Sequence, residues 1–536
     1  MTMNFYRGRL FKALIFAASL IGYTASLNAQ AETIRILPGE RWYGGAVDDG
    51  YKMPFQNGYS LQLYGNCRGN QAAPLLLSSK GRYVWSDEPF SFKIENDHLI
   101  ISDNAGKLQF DSAGSALADA YASAMQKHFP PSGQAPDTFF TSRPQYNTWI
   151  ELKYNQNQDG ILKYASDLIA NGFPPGVLMI DDNWFPYYGS FAFRKDRFKD
   201  AAAMVNRLHE MGFKVMVWVS PFFSPDTEIF RELQQKGFLV STLANGSKKP
   251  AIIEWWNGFS ASLDLTHPEA RKWFDAQLDK VKQQYGIDGF KFDAGDPEFY
   301  TDKNFVFHTP VSPNEFTRLW GIFGLNNPFN EYRAMWKMGN QPLVQRLRDK
   351  EHNWTDLQKI IPDMTAAGML GYGLSCPDMI GGGEIGSFVT NGRLDQRLVV
   401  RSAQLQALMP MMQFSIAPWR VLDSVSLHAV LNALQVRTLF LPLIQSLVDK
   451  CVKTGVPVVR HMEYQFPDQG FADCKDQFML GESLLVAPII TDNSVRTVKL
   501  PKGRWKSYDG RIIRGPATKK IDCPLDQIPW FRLVRR

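Results

Sequence analysis

Between Tyr146 and about Phe414 the sequence alternates apolar, strand-like runs with stretches of helical periodicity, and this rhythm restricts the possible folds more than any other feature. "GVLMIDDNW" gives way to a segment with apolar residues at Phe198, Ala202, Val205, Leu208 and Met211, a 3.6-residue repeat. "KVMVWVSPFF" is followed by "DTEIFRELQQKG". A helix expected after Thr266-His267-Pro268 carries Ala270, Phe274, Leu278, Val281 and Tyr285 on one face and leads into "GIDGFKFDAG". Further along come "QPLVQRL", a helix over Leu357–Leu370, and "GLSCPDM". Such alternation implies a parallel sheet covered by helices, and a span of roughly 270 residues suits a (β/α)8 TIM barrel with insertions. A doubly wound sheet competes with it. However, no strand runs into a GxGxxG turn, whereas polar residues recur where strands end: Asp181-Asp182, Ser220, Asp293 and Asp378. Those ends form the catalytic face of a barrel.

The flanks differ in character. Residues 32–142 offer short runs such as "TIRILPG", "YSLQLYG", "GRYVWS", "FSFKI" and "HLIISD", separated by Gly, Asn, Asp and Ser, which predicts an N-terminal β-sandwich. The barrel is expected over 143–425. Residues 426–536 then supply a helical connection, the end of a helix predicted from Leu422 to Thr454, and a C-terminal β domain with a turn at Pro501-Lys502-Gly503. The first 31 residues read as a signal peptide. Arg7, Arg9 and Lys12 precede an apolar run, and Ala29-Gln30-Ala31 is a small-x-small cleavage site, so a periplasmic or secreted protein is expected. The run falls short of the ~20 residues needed to span a bilayer, so no stable membrane insertion is expected after cleavage.

Removing those residues takes the formal charge from +6 to +3, and the remaining charges are interspersed without a basic stripe. Nucleic acid is therefore not an expected partner. The five cysteines, Cys67, Cys376, Cys451, Cys474 and Cys523, have no zinc or redox spacing; Cys451 and Cys474 could pair, which leaves an odd thiol. No His/Cys/Asp cluster has ligand spacing and no phosphate loop appears, so neither a metal nor an organic cofactor is expected.

Chemistry concentrates in "GIDGFKFDAGD", residues 286–296. Strand alternation puts Phe290 and Phe292 on one face and Lys291 and Asp293 on the other. A carboxylate at the end of an inward-facing strand, beside a cation, is rigid, open to a pocket and kept ionised, as a nucleophile must be. Spacing alone suits a structural Lys–Asp pair equally well.

"GIDGFKFDAGD" resembles the nucleophile strand of glycoside hydrolase family 31, in the subgroup resembling the myogenesis-regulating glycosidase. The resemblance extends through "RWYGGAVDDG" (41–50), "MLGYGLSCPDMIGGG" (369–383), "LMPMMQFSIAPWR" (408–420) and "GESLLVAPII" with "LPKGRW". It implies a retaining α-glycosidase acting on a carbohydrate, with α-galactoside favoured over α-glucoside, and it makes Asp293 the nucleophile. Retention needs a second carboxyl group on the far side of the glycosidic oxygen. Among Asp349, Asp356, Asp363 and Asp378, the resemblance selects Asp349, five residues before Trp354 in "RDKEHNWTDL". Asp356 then falls at a helix start, where the dipole favours it, and Asp363 is expected to be solvated within that helix.

Asp349 is flanked by Arg348 and Lys350, which would disfavour its protonated form. They are expected to point away, or Arg348 to bind substrate and Lys350 to lie on the surface. A non-catalytic carbohydrate-binding barrel is therefore the competing function. It would also fit Asp296, which stands where the subgroup has a longer glutamate. By resemblance Asp182 meets sugar hydroxyls, with Asp181 pointing the other way, and Asp378 closes the sugar site beside Gly381–Gly383. Trp218 offers a flat apolar face with an N–H handle, or else a core position. Lys291, Trp419 and Arg420 complete the expected substrate-binding set, with Arg401 as a further candidate. Trp42 and Trp255-Trp256 are expected near the entrance.

Overall fold

The computed structural model describes residues 31–244, 246–390 and 394–534. The predicted signal peptide lies outside them, apart from Ala31. Two antiparallel sheets form the N-terminal unit. One has four strands in the order Glu32–Arg35, His98–Ser102, Ser91–Glu95, Ser60–Gln62, and the other contains Trp42–Ala46, Gln71–Ser78, Arg82–Trp85 and Gln109–Ser112. Strict alternation places Phe92, Ile94, Leu99 and Ile101 in the core while their neighbours face outward.

Eight parallel strands then follow in chain order around a barrel: β1 (Gln145–Asn147), β2 (Val177–Ile180), β3 (Lys214–Val219), β4 (Gly289–Phe292), β5 (Asn330–Tyr332), β6 (Gln345–Arg346), β7 (Ser375–Cys376) and β8 (Gln413–Phe414). β8 pairs with β1, and a parallel bridge from Met379 to Gln413 brings the β7 side to β8. The periodic segments form the outer layer, each started by a side chain that satisfies a free backbone N–H. Asn157 caps Gln158–Ala170, Asp200 caps Ala201–Glu210, Ser312 caps Pro313–Asn326 and Asn353 caps Trp354–Met369. In the 201–210 helix the buried face is Ala201, Met204, Val205 and Leu208, because Phe198 precedes the cap. Gly286, at φ 75°, ends the Pro268–Tyr285 helix and turns the chain into β4.

One barrel crossing departs from the expected pattern. Between β5 and β6 the described chain has no helix. It passes through bends and a turn instead, with the two-residue strand Met335–Trp336 pairing with Gln71-Ala72 of the N-terminal sheet. That sheet covers the barrel where a helix would otherwise lie. The long helix Ser424–Thr454 packs back on the barrel, its buried Arg437 donating to the carbonyls of Ala407, Met409, Pro410 and Thr141.

The tail is a six-stranded sheet with a core of Met462, Met479, Leu485, Val498, Trp505 and Phe531 on one face, while Phe478, Leu480, Leu484 and Val486 join the main core from the other. Pro501-Lys502-Gly503 is no turn. It lies within the strand Val495–Ser507 as a bulge, with the register shifting between Leu500 and Gly503 and Trp505 donating its indole N–H to Pro501. All five cysteines are free, so the Cys451–Cys474 pairing is not made.

Candidate active site

The alternation read in "GFKF" holds. Phe292 faces outward, stacked on Tyr332 and edge-to-face with Trp320, while Lys291 and Asp293 enter the barrel. The barrel interior is polar for most of its depth. Gln413 donates to both Glu331 and Gln145, and Lys291 Nζ reaches Asp181 Oδ2 at 2.6 Å but Asp293 only at 4.0 Å. The lysine therefore pairs primarily with the end of β2 and acts on Asp293 at longer range.

Asp293 continues the β3–β4 ladder, donating its N–H to Val219. Its Oδ1 accepts from Arg333 Nε at 3.0 Å and from the N–H of Ala294 at 2.9 Å, and its Oδ2 accepts from the Trp218 indole at 3.1 Å. Burial opposes charge on this carboxyl, but Arg333, Lys291 and Arg346 overcome it and hold Asp293 well below the usual carboxylate range. Arg333, just past β5, binds Asp296 through two bonds of 2.8 and 2.6 Å and also donates to the Gly69 carbonyl. The short Asp296 thus makes a full bidentate contact at the strand end.

A cavity of about 520 Å³ opens over these groups at the C-terminal ends of the strands. Asp182, Trp218, Lys291, Asp293, Arg348 and Asp349 all line it, joined by Asp181, Trp149, Tyr154, Trp256, Asn257 and Glu384. Asp181 does not point away from Asp182. β2 ends at Ile180, so strand alternation no longer applies, and the left-handed Asn183 (φ 74°) turns the chain back. Asp182 accepts from Tyr188 Oη at 2.8 Å and from Asn257 at 3.1 Å. Burial, reinforced by Asp181, pushes its carboxyl up to about 7 against those bonds.

Asp349 follows β6, and its side chain is about one-third exposed to the cavity. Arg346 Nη1 donates to Asp349 Oδ1 at 2.6 Å and to Asp378 Oδ1 at 2.8 Å. Asp378 itself is fully buried beneath the cavity rather than lining it. Its other oxygen accepts the Lys350 N–H, and burial holds its carboxyl above the usual range. Lys350 is buried, not on the surface. It is turned onto Asp363, at 2.8 Å, and Asp48. Asp363 is correspondingly buried rather than solvated, because the N-terminal unit covers its helix. Asp356 accepts the Glu351 N–H at the start of that helix, as its position implied.

Three expected residues lie elsewhere. Trp419 packs against Tyr164 and Phe173 on the outer layer, and Arg420 pairs with Glu151 at the surface. Both lie within the four-residue helix Pro418–Val421, which carries them past the end of β8 and away from the cavity. Arg401 holds the carbonyls of Cys523 and Pro524 in the C-terminal unit. Of the tryptophans expected at the entrance, only Trp256 lines the cavity; Trp255 lies behind it and Trp42 is in the N-terminal core. Arg333 and Arg346 escaped the sequence reading, since neither belongs to a motif in local sequence. Among the described residues no cluster of His, Cys, Asp and Glu could hold a metal ion.

The TIM-barrel domain model of the glycosyl hydrolases family 31 matches residues 140–447, and the C-terminal domain model of the same family matches 455–533. The myogenesis-regulating glycosidase of Mus musculus is 33% identical over 434 residues, 78% of this chain and 60% of its own length. Alpha-glucosidase 2 of Bacillus thermoamyloliquefaciens is 24% identical over 508 residues, 84% of this chain and 62% of its own. The chain thus spans about three fifths of either relative. Among solved structures, the Flavobacterium johnsoniae GH31 dextranase complexed with glucose superposes with a TM-score of 0.82 at 20% identity, covering 94% of this chain and 66% of that one. A GH31 alpha-xylosidase from a soil metagenome gives 0.79 at 22% identity, with coverage of 94% and 79%. At those identities the superpositions establish the barrel architecture.

Proposed function

Because the chain belongs to glycoside hydrolase family 31, we propose that it is an exported retaining α-glycosidase that hydrolyses terminal α-linked hexoses through a covalent glycosyl-enzyme. The observation that carries this reading is Asp293: a buried carboxylate kept ionised by Arg333 and Lys291, oriented by three N–H donors, at the floor of the cavity that Asp349 also lines. Oδ2, which accepts the Trp218 N–H, attacks the anomeric carbon while Asp349 gives a proton to the departing oxygen. Asp349, now ionised, takes a proton from water, and that water releases the sugar from Asp293. Asp182, with Tyr188 and Asn257, is placed to receive sugar hydroxyls, and Trp218 and Trp256 offer apolar faces to the sugar rings.

The subgroup blocks in the sequence favour α-galactoside, whereas the α-glucosidase and α-xylosidases among the relatives make α-glucoside the competing substrate. Two observations weigh against the non-catalytic reading. Lys350 and Arg348 are engaged by Asp363 and Asp48, and Asp296 makes its bidentate contact. A panel of p-nitrophenyl α-glycosides tests the activity. Turnover is expected with the wild-type chain and is expected to vanish in Asp293→Ala, with azide restoring a product of inverted configuration. Unchanged turnover in that variant sinks the assignment.

A further inference from the structure

The acid/base carboxylate sits between two cations in sequence, Arg348 and Lys350, and both are held by one residue of another unit. Asp48 Oδ2 accepts from Arg348 Nη1 at 3.3 Å and Asp48 Oδ1 from Lys350 Nζ at 3.2 Å. Lys350 is further drawn to Asp363 at 2.8 Å, and burial, which alone would discharge it, is overcome by Asp363 and Asp48. Asp48 belongs to the 3-10 turn Val47–Lys52, within the block "RWYGGAVDDG", and this turn is seated tightly on the helix Trp354–Met369. A β-carbon on Gly50 would lie 2.5 Å from the Pro362 carbonyl oxygen, and Tyr51 donates its N–H to Asp363. The turn therefore has one position, and that position presents Asp48 to both cations at once.

We propose that Asp48 is a positioning residue for the general acid: by pairing with Arg348 and sharing Lys350 with Asp363 it allows Asp349 to retain the proton that glycosidic cleavage requires. The inference rests on Asp349 being the acid/base residue. The other charged groups around Asp349 are Arg346 from β6, Asp378 beyond β7 on the same guanidinium, Arg333 from beyond β5, Asp293 from β4 and Glu384 from the loop after β7. Arg346 donates to Asp349 at 2.6 Å. Two further uncompensated cations on the same loop would favour the charged carboxylate, and Asp48 pairs with Arg348 while sharing Lys350 with Asp363.

Asp48→Asn keeps the shape and deletes the charge. The basic limb of kcat/KM against pH, which reports the acid of the free enzyme, is expected to move down by roughly one pH unit. At pH 7 turnover of a disaccharide, whose leaving oxygen needs protonation, is expected to fall about tenfold, while turnover of the α-glycosyl fluoride changes less than about twofold. Adding Arg348→Gln to that variant should recover part of the displaced limb. An unmoved limb, or equal losses on both substrates with a lowered melting temperature, overturns the inference and leaves Asp48 a tether. If Asp48→Asn fails to fold, Asp48→Ser, which deletes the same charge with a smaller side chain, takes its place: the limb moves down if Asp48 offsets the two cations and stays if it does not. A wild-type chain that turns over none of these glycosides defeats the functional reading separately. The effect of Asp48 on Asp349 is then read by carboxyl 13C titration assigned with Asp349→Asn, where an unchanged midpoint in Asp48→Asn overturns the inference.

Discussion

A carboxylate that attacks carbon must be ionised, yet must not be so strongly bonded that its lone pairs are spent. Arg333 meets both conditions for Asp293 by dividing its five donors among Asp293, Asp296 and the Gly69 carbonyl. Arg333→Met would leave two buried carboxylates without their cation. It should cost about 3–5 kcal/mol of stability, read by urea denaturation, with the loss largest at neutral pH and smaller in acid where the carboxyls can protonate. A loss below about 1 kcal/mol would show that Lys291 suffices. If Asp182 receives sugar hydroxyls as proposed, it makes binding pH-dependent. Burial pushes its carboxyl up to about 7, and the ionised form accepts hydroxyls more strongly than the acid, so ligand binding would release a proton. Affinity for whichever hexose, galactose or glucose, the chain binds, measured by calorimetry, should therefore rise between pH 6 and 8, and Asp182→Asn should flatten the curve. A wild-type affinity that falls over that range would place the sugar elsewhere. At this scale the sequence carried the carboxylates but not the arginines. Asp293 is legible because strand alternation forces it inward beside Lys291, whereas Arg333 reaches it from forty residues away with no local pattern. Trp419 misled for a related reason, since proximity to a strand end in sequence does not fix the direction of the helix that follows.

The helix Trp354–Met369 and the turn Val47–Lys52 pack as one element, and their contact is closer than side chains allow. Gly50→Ala would drive a methyl against the Pro362 carbonyl and the Asp363 Cα, at 2.5 and 2.7 Å, so either turn or helix must shift. The expected cost is about 1–3 kcal/mol. Because the turn carries Asp48, turnover should fall along with the melting temperature. Full activity at an unchanged melting temperature would mean that the turn adapts freely. The helix itself was readable, predicted over Leu357–Leu370 and observed three residues earlier at its start, because its Asn353 cap lies outside the apolar repeat. The helix-free crossing from β5 to β6 was not readable. Its strand Met335–Trp336 has the partner Gln71-Ala72 more than 250 residues away, and pairing at that separation leaves no periodicity in either segment. The bulge at Pro501-Gly503 was hidden differently, since Pro and Gly mark turns and bulges alike.

The N-terminal sheets and the barrel are coupled by their polar contacts as well as by a shared apolar core. Asn70 and Gln71 donate to the carbonyl of Arg346 at the end of β6, Gly69 accepts from Arg333, and Asp48 holds the loop that carries Asp349. The core that contains Trp42, Leu75 and Leu76 runs without interruption into Met335, Trp336 and the barrel helices. The N-terminal unit therefore contributes Gly69 to the cavity lining, and it cannot detach without withdrawing a ligand of Arg333, a cation that helps keep Asp293 charged. Loss of activity in urea should then coincide with loss of the N-terminal sheet structure, as a single transition followed by turnover and by protection from proteolysis over residues 32–142. The C-terminal sheet has a second core on one face, but Val459, Phe478, Leu480, Leu484 and Val486 on its other face join the main core, so it is expected to open together with the barrel. Release of the 32–142 segment from a chain that still turns over substrate would break this argument, because the charge on Asp293 would then have to be maintained by the barrel alone.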